Sequence, residues 1–151
     1  MIRDKIVFGG FIGILSKIVM DIFQIPIWSL RIIKHPLGHY AASLLMDVYS
    51  IHHTLLGSVI SLLADYIYAI FWGIIFVYLI YLVGKRNLIF KGLIFGGFLW
   101  LFSFGGLRSL PIVQLREVVS GNVIYYFFFH LIFGFALGFF VKIFTERHLV
   151  E

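Results

Sequence analysis

Lys17 and Asp21 stand four residues apart within an apolar run that extends from Phe8 to Leu30. About 20 helical residues cross the ~30 Å hydrocarbon layer of a bilayer, so this run predicts a membrane-spanning helix. A charge inside such a helix costs about 2.5–3.5 kcal/mol on insertion scales and normally faces a partner in the protein interior. Residues four apart share one helix face, so the ammonium and the carboxylate can pair. The sequence therefore predicts a buried ion pair.

Three further polar residues lie on apolar runs: Gln24, Asp65 and His130. A rise of 1.5 Å per residue, counted from the ends of the runs, places Asp21 and His130 about 20 Å from the same membrane face and Asp65 about 7 Å further along. We expect these residues and Lys17 to form an intramembrane polar cluster. Such clusters handle protons or ions in many membrane proteins, whereas a single buried pair can also be structural. Both interpretations stay open.

Removing one partner of the pair should destabilise the protein, because the other charge stays buried and uncompensated. Replacing both Lys17 and Asp21 by apolar residues should recover much of that loss. The sequence thus predicts energetic coupling between the two positions.

The remaining chemistry argues against an enzyme. Asp21 and Asp65 differ too much in predicted depth to share a proton as a catalytic dyad does, and we find no phosphate-binding glycine loop or nucleophile elbow. Zero cysteines exclude disulfides and thiolate metal sites. A haem needs two axial ligands, and His130 alone lies well inside an apolar run. We expect no catalytic residues and no cofactor.

A group of histidines follows the first apolar run. Zinc and copper use such ligands. However, Pro36 and Gly38 interrupt the helical register, and neighbouring residues on a helix point about 100° apart. We therefore expect these side chains to meet lipid headgroups and water, and no metal site. The group comprises His35, His39, His52 and His53, with Asp47 nearby.

The elements that must position these residues follow from composition. Hydrophobic residues make up 62% of the 151-residue chain and charged residues 13%, against about 45–50% and about 25% in soluble domains. Spans in lipid must satisfy their own backbone hydrogen bonds, so helices are expected. The predicted fold class is all-α: a single transmembrane domain with four helices and an outer amphipathic segment at residues 38–50. The spans are predicted at about residues 8–30, 60–83, 88–104 and 123–144.

Proline and glycine residues refine the predicted ends of the spans. Pro26 removes a helical hydrogen bond and should kink or end the first helix. Gly105 and Gly106, followed by Arg108, should end the third span. Residues 109–120 could form a short interfacial helix with Pro111 in its first turn.

Small residues form stripes on the predicted spans. They include three G-x-x-x-G pairs, which let helix backbones approach closely. We expect them to pack the four helices together; one such face could instead serve a second protomer. The pairs are Gly9 and Gly13, Gly92 and Gly96, and Gly134 and Gly138.

The basic residues set the expected topology. With four spans both termini lie on one side, and that side carries more Lys and Arg, so the positive-inside rule favours cytoplasmic termini. The net charge of +5 comes from residues at the ends of apolar runs, so no nucleic-acid partner is expected. The seven residues on the terminal side are Arg3, Lys5, Lys85, Arg86, Lys91, Lys142 and Arg147, and the four on the other are Arg31, Lys34, Arg108 and Arg116.

Several segments carry a family resemblance: GFIGILSKIV at residues 10–19, KGLIFGG at 91–97, Leu110-Pro111, and FHL at 129–131. In these segments the chain resembles the YagU-like small bacterial inner-membrane proteins. The resemblance implies a four-helix fold in a bacterial cytoplasmic membrane. That family has no defined activity, so no substrate is implied. Its proline-proline-arginine element is absent here, where the chain reads Ile25-Pro26-Ile27.

Two classes of function remain. The first is a non-enzymatic membrane protein that acts through helix contacts with itself, as a homo-oligomer, or with a membrane partner. The second is a small-solute or ion transporter or channel that uses the cluster around Asp21 and His130. A transporter needs a water-accessible cavity that reaches this cluster, whereas a structural bundle can bury it dry.

Overall fold

The computed structural model describes residues 4–115 and 120–146, and all secondary structure within them is helical. Four helical segments are long and apolar enough to cross a membrane: Lys5–Ser29, Leu55–Val83, Leu88–Ser109 and Val123–Thr145. The predicted all-α class with four membrane-spanning helices is confirmed. The α-helices are α1 (Lys5–Ser29), α2 (Leu37–Ala42), α3 (Val48–His53), α4 (Leu55–Val83), α5 (Leu88–Trp100) and α6 (Val123–Glu146).

Local capping fixes the ends of the long helices. The Asp4 carboxylate accepts a hydrogen bond from the backbone N–H of Ile6 at 2.7 Å and so begins α1. The Thr54 hydroxyl accepts from the Gly57 N–H at 2.9 Å and begins α4. Gly84, with a φ of +85°, ends α4, and only glycine adopts that conformation without strain.

The four long helices form two antiparallel pairs, α1 with α4 and α5 with α6, and the pairs join mainly between α1 and α6. A shared aromatic and aliphatic core fills the space between them. Its largest fully buried members include Tyr126, Phe76, Phe129, Ile12, Ile80 and Leu99.

Glycine contacts bring the α1 and α4 backbones together. A Cβ added at Gly9 would meet the Cα of Ile74, and one added at Gly13 would collide with the carbonyl oxygen of Ala69. Small residues are therefore required on this face, because any larger side chain would force the backbones apart.

The same arrangement recurs between α5 and α6. A Cβ at Gly92 would collide with the Gly134 carbonyl oxygen, one at Gly96 with that of His130, and one at Gly138 with that of Leu88. All six glycines of the predicted G-x-x-x-G pairs thus lie against another helix of the same chain.

The connector between α1 and α4 differs from the single amphipathic helix expected at residues 38–50. It forms two short helices, α2 and α3, separated by residues 43–47. The Asp47 carboxylate accepts from the Ser50 N–H at 2.9 Å and from the Ser50 hydroxyl at 2.6 Å. This cap starts a second helix in place of continuing the first.

The third span also differs from expectation, because it does not end at Gly105 and Gly106. The chain continues from α5 as a π-helix, Leu101–Gly106, and then one 3₁₀ turn, Leu107–Ser109. The N–H of Leu107 reaches the carbonyl oxygen of Phe102, five residues back. The widened turn keeps the backbone hydrogen-bonded, as lipid surroundings require.

Two further helix boundaries were predicted, one at Pro26 and one at residues 109–120. Helix α1 passes through Pro26 and ends within one turn, at Ser29, whose hydroxyl donates to the Pro26 carbonyl oxygen at 2.8 Å. The short helix expected at residues 109–120 is not formed over residues 110–115. Leu110, which precedes Pro111, is extended, with ψ of 141°, as residues before proline usually are.

Parts of two predictions lie outside the described residues. The connector prediction extends over residues 116–119, and the Lys and Arg count used Arg3, Arg116 and Arg147.

Candidate functional site

Lys17 forms the centre of an ion cluster between α1 and α4. Its side chain is 2% exposed, and its Nζ pairs with Oδ1 of Asp21 on the same helix and, at 2.9 Å, with Oδ2 of Asp65 on α4. We call Lys17, Asp21 and Asp65 the ion triad. The spacing of Lys17 and Asp21 indicated the first contact; the second carboxylate comes from the facing helix.

A single register explains why Asp65 meets Lys17. Along the antiparallel α1–α4 pair, each step of four residues forward on α1 matches four residues backward on α4. The facing positions are Gly9 with Gly73, Gly13 with Ala69, and Lys17 with Asp65. The Lys17–Asp65 ion pair thus lies one turn beyond the Gly13–Ala69 contact, along the same interface.

The depth estimate for Asp65 was wrong, because it put this residue well above Lys17. The estimate counted from Val83 and from Phe8 as though both lay at one membrane level. In the observed register Gly9, next to Phe8, lies against Ile74, so α4 runs about two and a half turns beyond that level to Val83. Asp65 therefore lies beside Lys17.

Tyr66 adds a polar contact that the sequence did not indicate. Its hydroxyl donates to Oδ2 of Asp21 at 3.2 Å, and its ring centroid lies 5.5 Å from the Nζ of Lys17. Asp65 and Tyr66 are neighbours on α4, so the two side chains reach Lys17 and Asp21 from adjacent directions. Both oxygens of Asp21 thereby have partners.

A cavity of about 90 Å³ adjoins the ion triad. It lies between all four long helices and α2, and most of its walls are apolar. A cavity needs only about 10–15 Å³ to hold one water molecule. This cavity is several times larger and can hold a small molecule. Its charged and polar lining residues are Lys17, Tyr40, Asp65, Tyr68, Ser103, Arg108 and His130.

Hydrogen bonds hold several of these groups in place. The Tyr68 and Ser103 hydroxyls lie 2.9 Å apart and tie α4 to the π-helical segment. Nδ1 of His130 lies 2.7 Å from the carbonyl oxygen of Tyr126, one turn earlier on α6. A carbonyl oxygen only accepts, so Nδ1 carries the hydrogen.

The structure divides the predicted polar cluster. Lys17, Asp65 and His130 line the cavity, whereas Asp21 contacts Lys17 and Tyr66 and is not part of the lining. The side chain of Gln24 is 2% exposed, and its Oε1 has no hydrogen-bond partner within residues 4–115 and 120–146.

No signal in the sequence indicated that the cavity residues Tyr68 and Ser103 would meet. Leu107 and Arg108 carried no such signal. The π-helix brings them to the cavity wall, because it carries the helix past the two glycines. Wide turns of this kind occur often at functional sites.

A second polar group forms at the end of the bundle where α1 ends and α4 begins. His35 precedes α2, His39 lies on α2 and His52 on α3, and one ring nitrogen from each lies within 4.8 Å of the other two. The three rings therefore face one another, an arrangement that the interrupted helical register at Pro36 and Gly38 did not indicate. His53 packs instead on the ring of Tyr49, with centroids 4.7 Å apart.

The fold explains the gathering. Residues 38–50 were expected to form one helix, whereas α2 and α3 are separate and both pack on α4. Burial, together with the neighbouring His52 and His35, lowers the pKa of His39 to about 4. Burial, His53 and Lys34 also lower the pKa of His52.

Comparisons with family models, with curated proteins and with solved structures find no match to this chain. The fold itself shows a multi-pass membrane protein. Any finer function has to follow from the ion triad, the cavity and the histidines.

Proposed function

We propose that the chain is a non-enzymatic integral membrane protein that binds a small solute in the interhelical cavity and carries it across the bilayer. The observation that supports this most directly is a cavity of about 90 Å³ that reaches a buried ion triad. Pockets with mostly apolar walls and a few convergent polar groups are typical of small-molecule sites.

The charges of the triad support solute or ion handling. Two carboxylates share one ammonium, so the fully ionised triad carries one excess negative charge in a medium of low dielectric constant. A proton or a bound cation would neutralise this excess charge. Acidic groups inside the membrane are typical of proton relays and ion pathways. Asp65 is the carboxylate placed to meet such a ligand, because it lines the cavity while Asp21 does not.

A non-enzymatic role fits the hydrogen bonding. The Lys17 ammonium is committed to two carboxylates, and Nδ1 of His130 to a backbone carbonyl. Catalytic nucleophiles are instead activated by an adjacent base. The helix-contact alternative has less support, because the glycine faces pack within the chain.

Accessibility of Ser103 tests this proposal. The chain has no cysteine, so Ser103→Cys can be compared with the lipid-facing Ile94→Cys in proteoliposomes treated with a small charged methanethiosulfonate. We expect Ser103→Cys to react at least about tenfold faster, since such reagents need water; tenfold is ~1.4 kcal/mol in the barrier. Equal, slow rates would mean that the cavity is dry and would favour a structural bundle.

For location, we propose the cytoplasmic membrane of a bacterium, with bilayer lipids as the surroundings and both termini in the cytoplasm. The excess of Lys and Arg on the terminal side supports this orientation, and the resemblance to YagU-like proteins supports the type of membrane. No nucleic-acid partner is proposed.

Labelling tests the orientation. Arg86 lies in the turn between α4 and α5, and Tyr49, which is 72% exposed, lies on the connector at the opposite end. An impermeant maleimide should label Tyr49→Cys in intact cells and Arg86→Cys only after permeabilisation. The reverse pattern would invert the orientation, and labelling of both in intact cells would contradict four spans.

A further inference from the structure

We propose that His35, His39 and His52 form a binding site for one divalent transition-metal ion, with Zn²⁺ as the representative ligand. Their ring centroids are 4.7 Å apart for His35 and His52, 4.7 Å for His39 and His52, and 6.1 Å for His35 and His39. One nitrogen from each ring lies within 4.8 Å of the other two. Nothing in the proposed solute function requires this site.

The three rings need only small movements to bind an ion. Zinc holds imidazole nitrogens at about 2.0–2.1 Å, which places the nitrogens of a tetrahedral site roughly 3.4 Å apart. Modest rotations of three side chains close the difference from the observed separations. Three imidazoles leave a fourth position open for water, the ligand number of catalytic rather than closed structural zinc sites.

The backbone that carries the histidines is held in place by the bundle. The Tyr126 hydroxyl of α6 donates to the His35 carbonyl oxygen at 2.7 Å. On α2, a Cβ added at Gly38 would lie 2.8 Å from the Ser61 carbonyl oxygen of α4, so the backbones are in close contact. Helix α3 packs equally closely on Gly57 of α4. The ligands thus come from three anchored segments, which limits the entropy lost on binding.

Two ring nitrogens in the group lack partners. Nδ1 of His39 and Nε2 of His52 are buried and make no hydrogen bond to any residue that the structure describes. Leaving a buried polar atom unsatisfied costs about 1–3 kcal/mol. Coordination to a metal ion would satisfy both atoms at once, which is independent support for a ligand at this point.

The donor set indicates which ion. Imidazole nitrogen suits Zn²⁺, Cu²⁺, Ni²⁺ and Co²⁺, whereas Mg²⁺ and Ca²⁺ prefer oxygen ligands. The nearby carboxylate of Asp47 caps α3, so the three imidazoles remain the ligand set. Helix α2 also forms one wall of the cavity, so an ion here would fix that wall.

The decisive experiment measures Zn²⁺ binding to the full chain in detergent, purified without a polyhistidine tag and freed of metal with a chelator. Calorimetry should give one ion per chain. His39→Ala and His52→Ala should each weaken binding by at least about 100-fold, while the matched control His53→Ala should leave it unchanged. Loss of binding in His53→Ala alone, or equal binding by all variants, would overturn the proposal, as would no saturable binding by the unaltered chain.

A spectroscopic measurement protects this test against misfolded variants. The Trp28 ring centroid lies 5.8 Å from that of His39, so Cu²⁺ bound at the site should quench Trp28 fluorescence in the unaltered protein. Trp28→Phe should remove the quenched component, because Trp72 and Trp100 lie elsewhere in the bundle. Quenching that persists in Trp28→Phe would place the ion at another site. Because solute access is measured at Ser103, failure here leaves the proposed function untouched.

Discussion

Replacing Lys17 by methionine should lower the free energy of unfolding by about 3–5 kcal/mol, the range found when one partner of a fully buried ion pair is removed. The Lys17 side chain is 2% exposed and compensates two carboxylates. Without the ammonium, Asp21 and Asp65 would face each other uncompensated. SDS-induced unfolding in mixed micelles, followed by circular dichroism, measures the change. Ile18→Met, on the neighbouring and 44% exposed residue, is the control and should change stability by less than about 0.5 kcal/mol.

Combined substitutions separate the two carboxylates. The sequence predicted that Lys17→Met with Asp21→Leu would recover much of the loss, but the structure adds Asp65 as a second partner. That double variant still buries one uncompensated carboxylate, so we expect only partial recovery. Adding Asp65→Asn should restore most of the remainder. If Lys17→Met and Asp65→Asn have purely additive effects, the 2.9 Å contact contributes nothing and the triad assignment is wrong.

The sequence predicted the helical spans well because lipid imposes a strong constraint. A spanning segment has to be long, apolar and internally hydrogen-bonded, and these properties are local. The Lys17–Asp21 contact was also foreseeable, since two charges four residues apart on an apolar helix have few ways to avoid the lipid.

The rest depends on how the helices slide past one another. The partnership of Lys17 with Asp65 follows from glycine contacts that fix the α1–α4 register, and counting from span ends assumed a register that α4 does not have. A slide of one helical turn moves a residue by about 5.4 Å. A shift of that size decides whether two side chains touch. Counting residues from the span ends is not accurate enough to predict such contacts.

The cavity and the histidine group depend on where short segments break. Asp47 caps α3 and so divides residues 38–50 into two helices. The π-helix carries Ser103 and Arg108 to the cavity. Each break places side chains from different segments together. The sequence pattern of one segment does not show which residues of another segment lie beside it, and for that reason the grouping of the three histidines was not predicted.

Gly96→Leu is expected to destabilise the α5–α6 pair by about 3 kcal/mol, the upper part of the usual range for overpacking. A Cβ at Gly96 would collide with the His130 carbonyl oxygen and lie 3.3 Å from the Cα of Gly134, both of them backbone atoms that cannot rotate away. The helices would have to separate along most of their contact. SDS unfolding and size-exclusion chromatography of the variant would report this loss.

The neighbouring residue provides a matched control. A Cβ added at Gly97 meets nothing within 4 Å, so Gly97→Leu should cause no loss of stability. Alanine sharpens the comparison, since replacing glycine by alanine favours a helix by up to about 1 kcal/mol at either position. The difference between Gly96→Ala and Gly97→Ala therefore isolates the contact with His130. Equal stabilities for these two variants would show that Gly96 faces lipid, and the α5–α6 interface described above would then be incorrect.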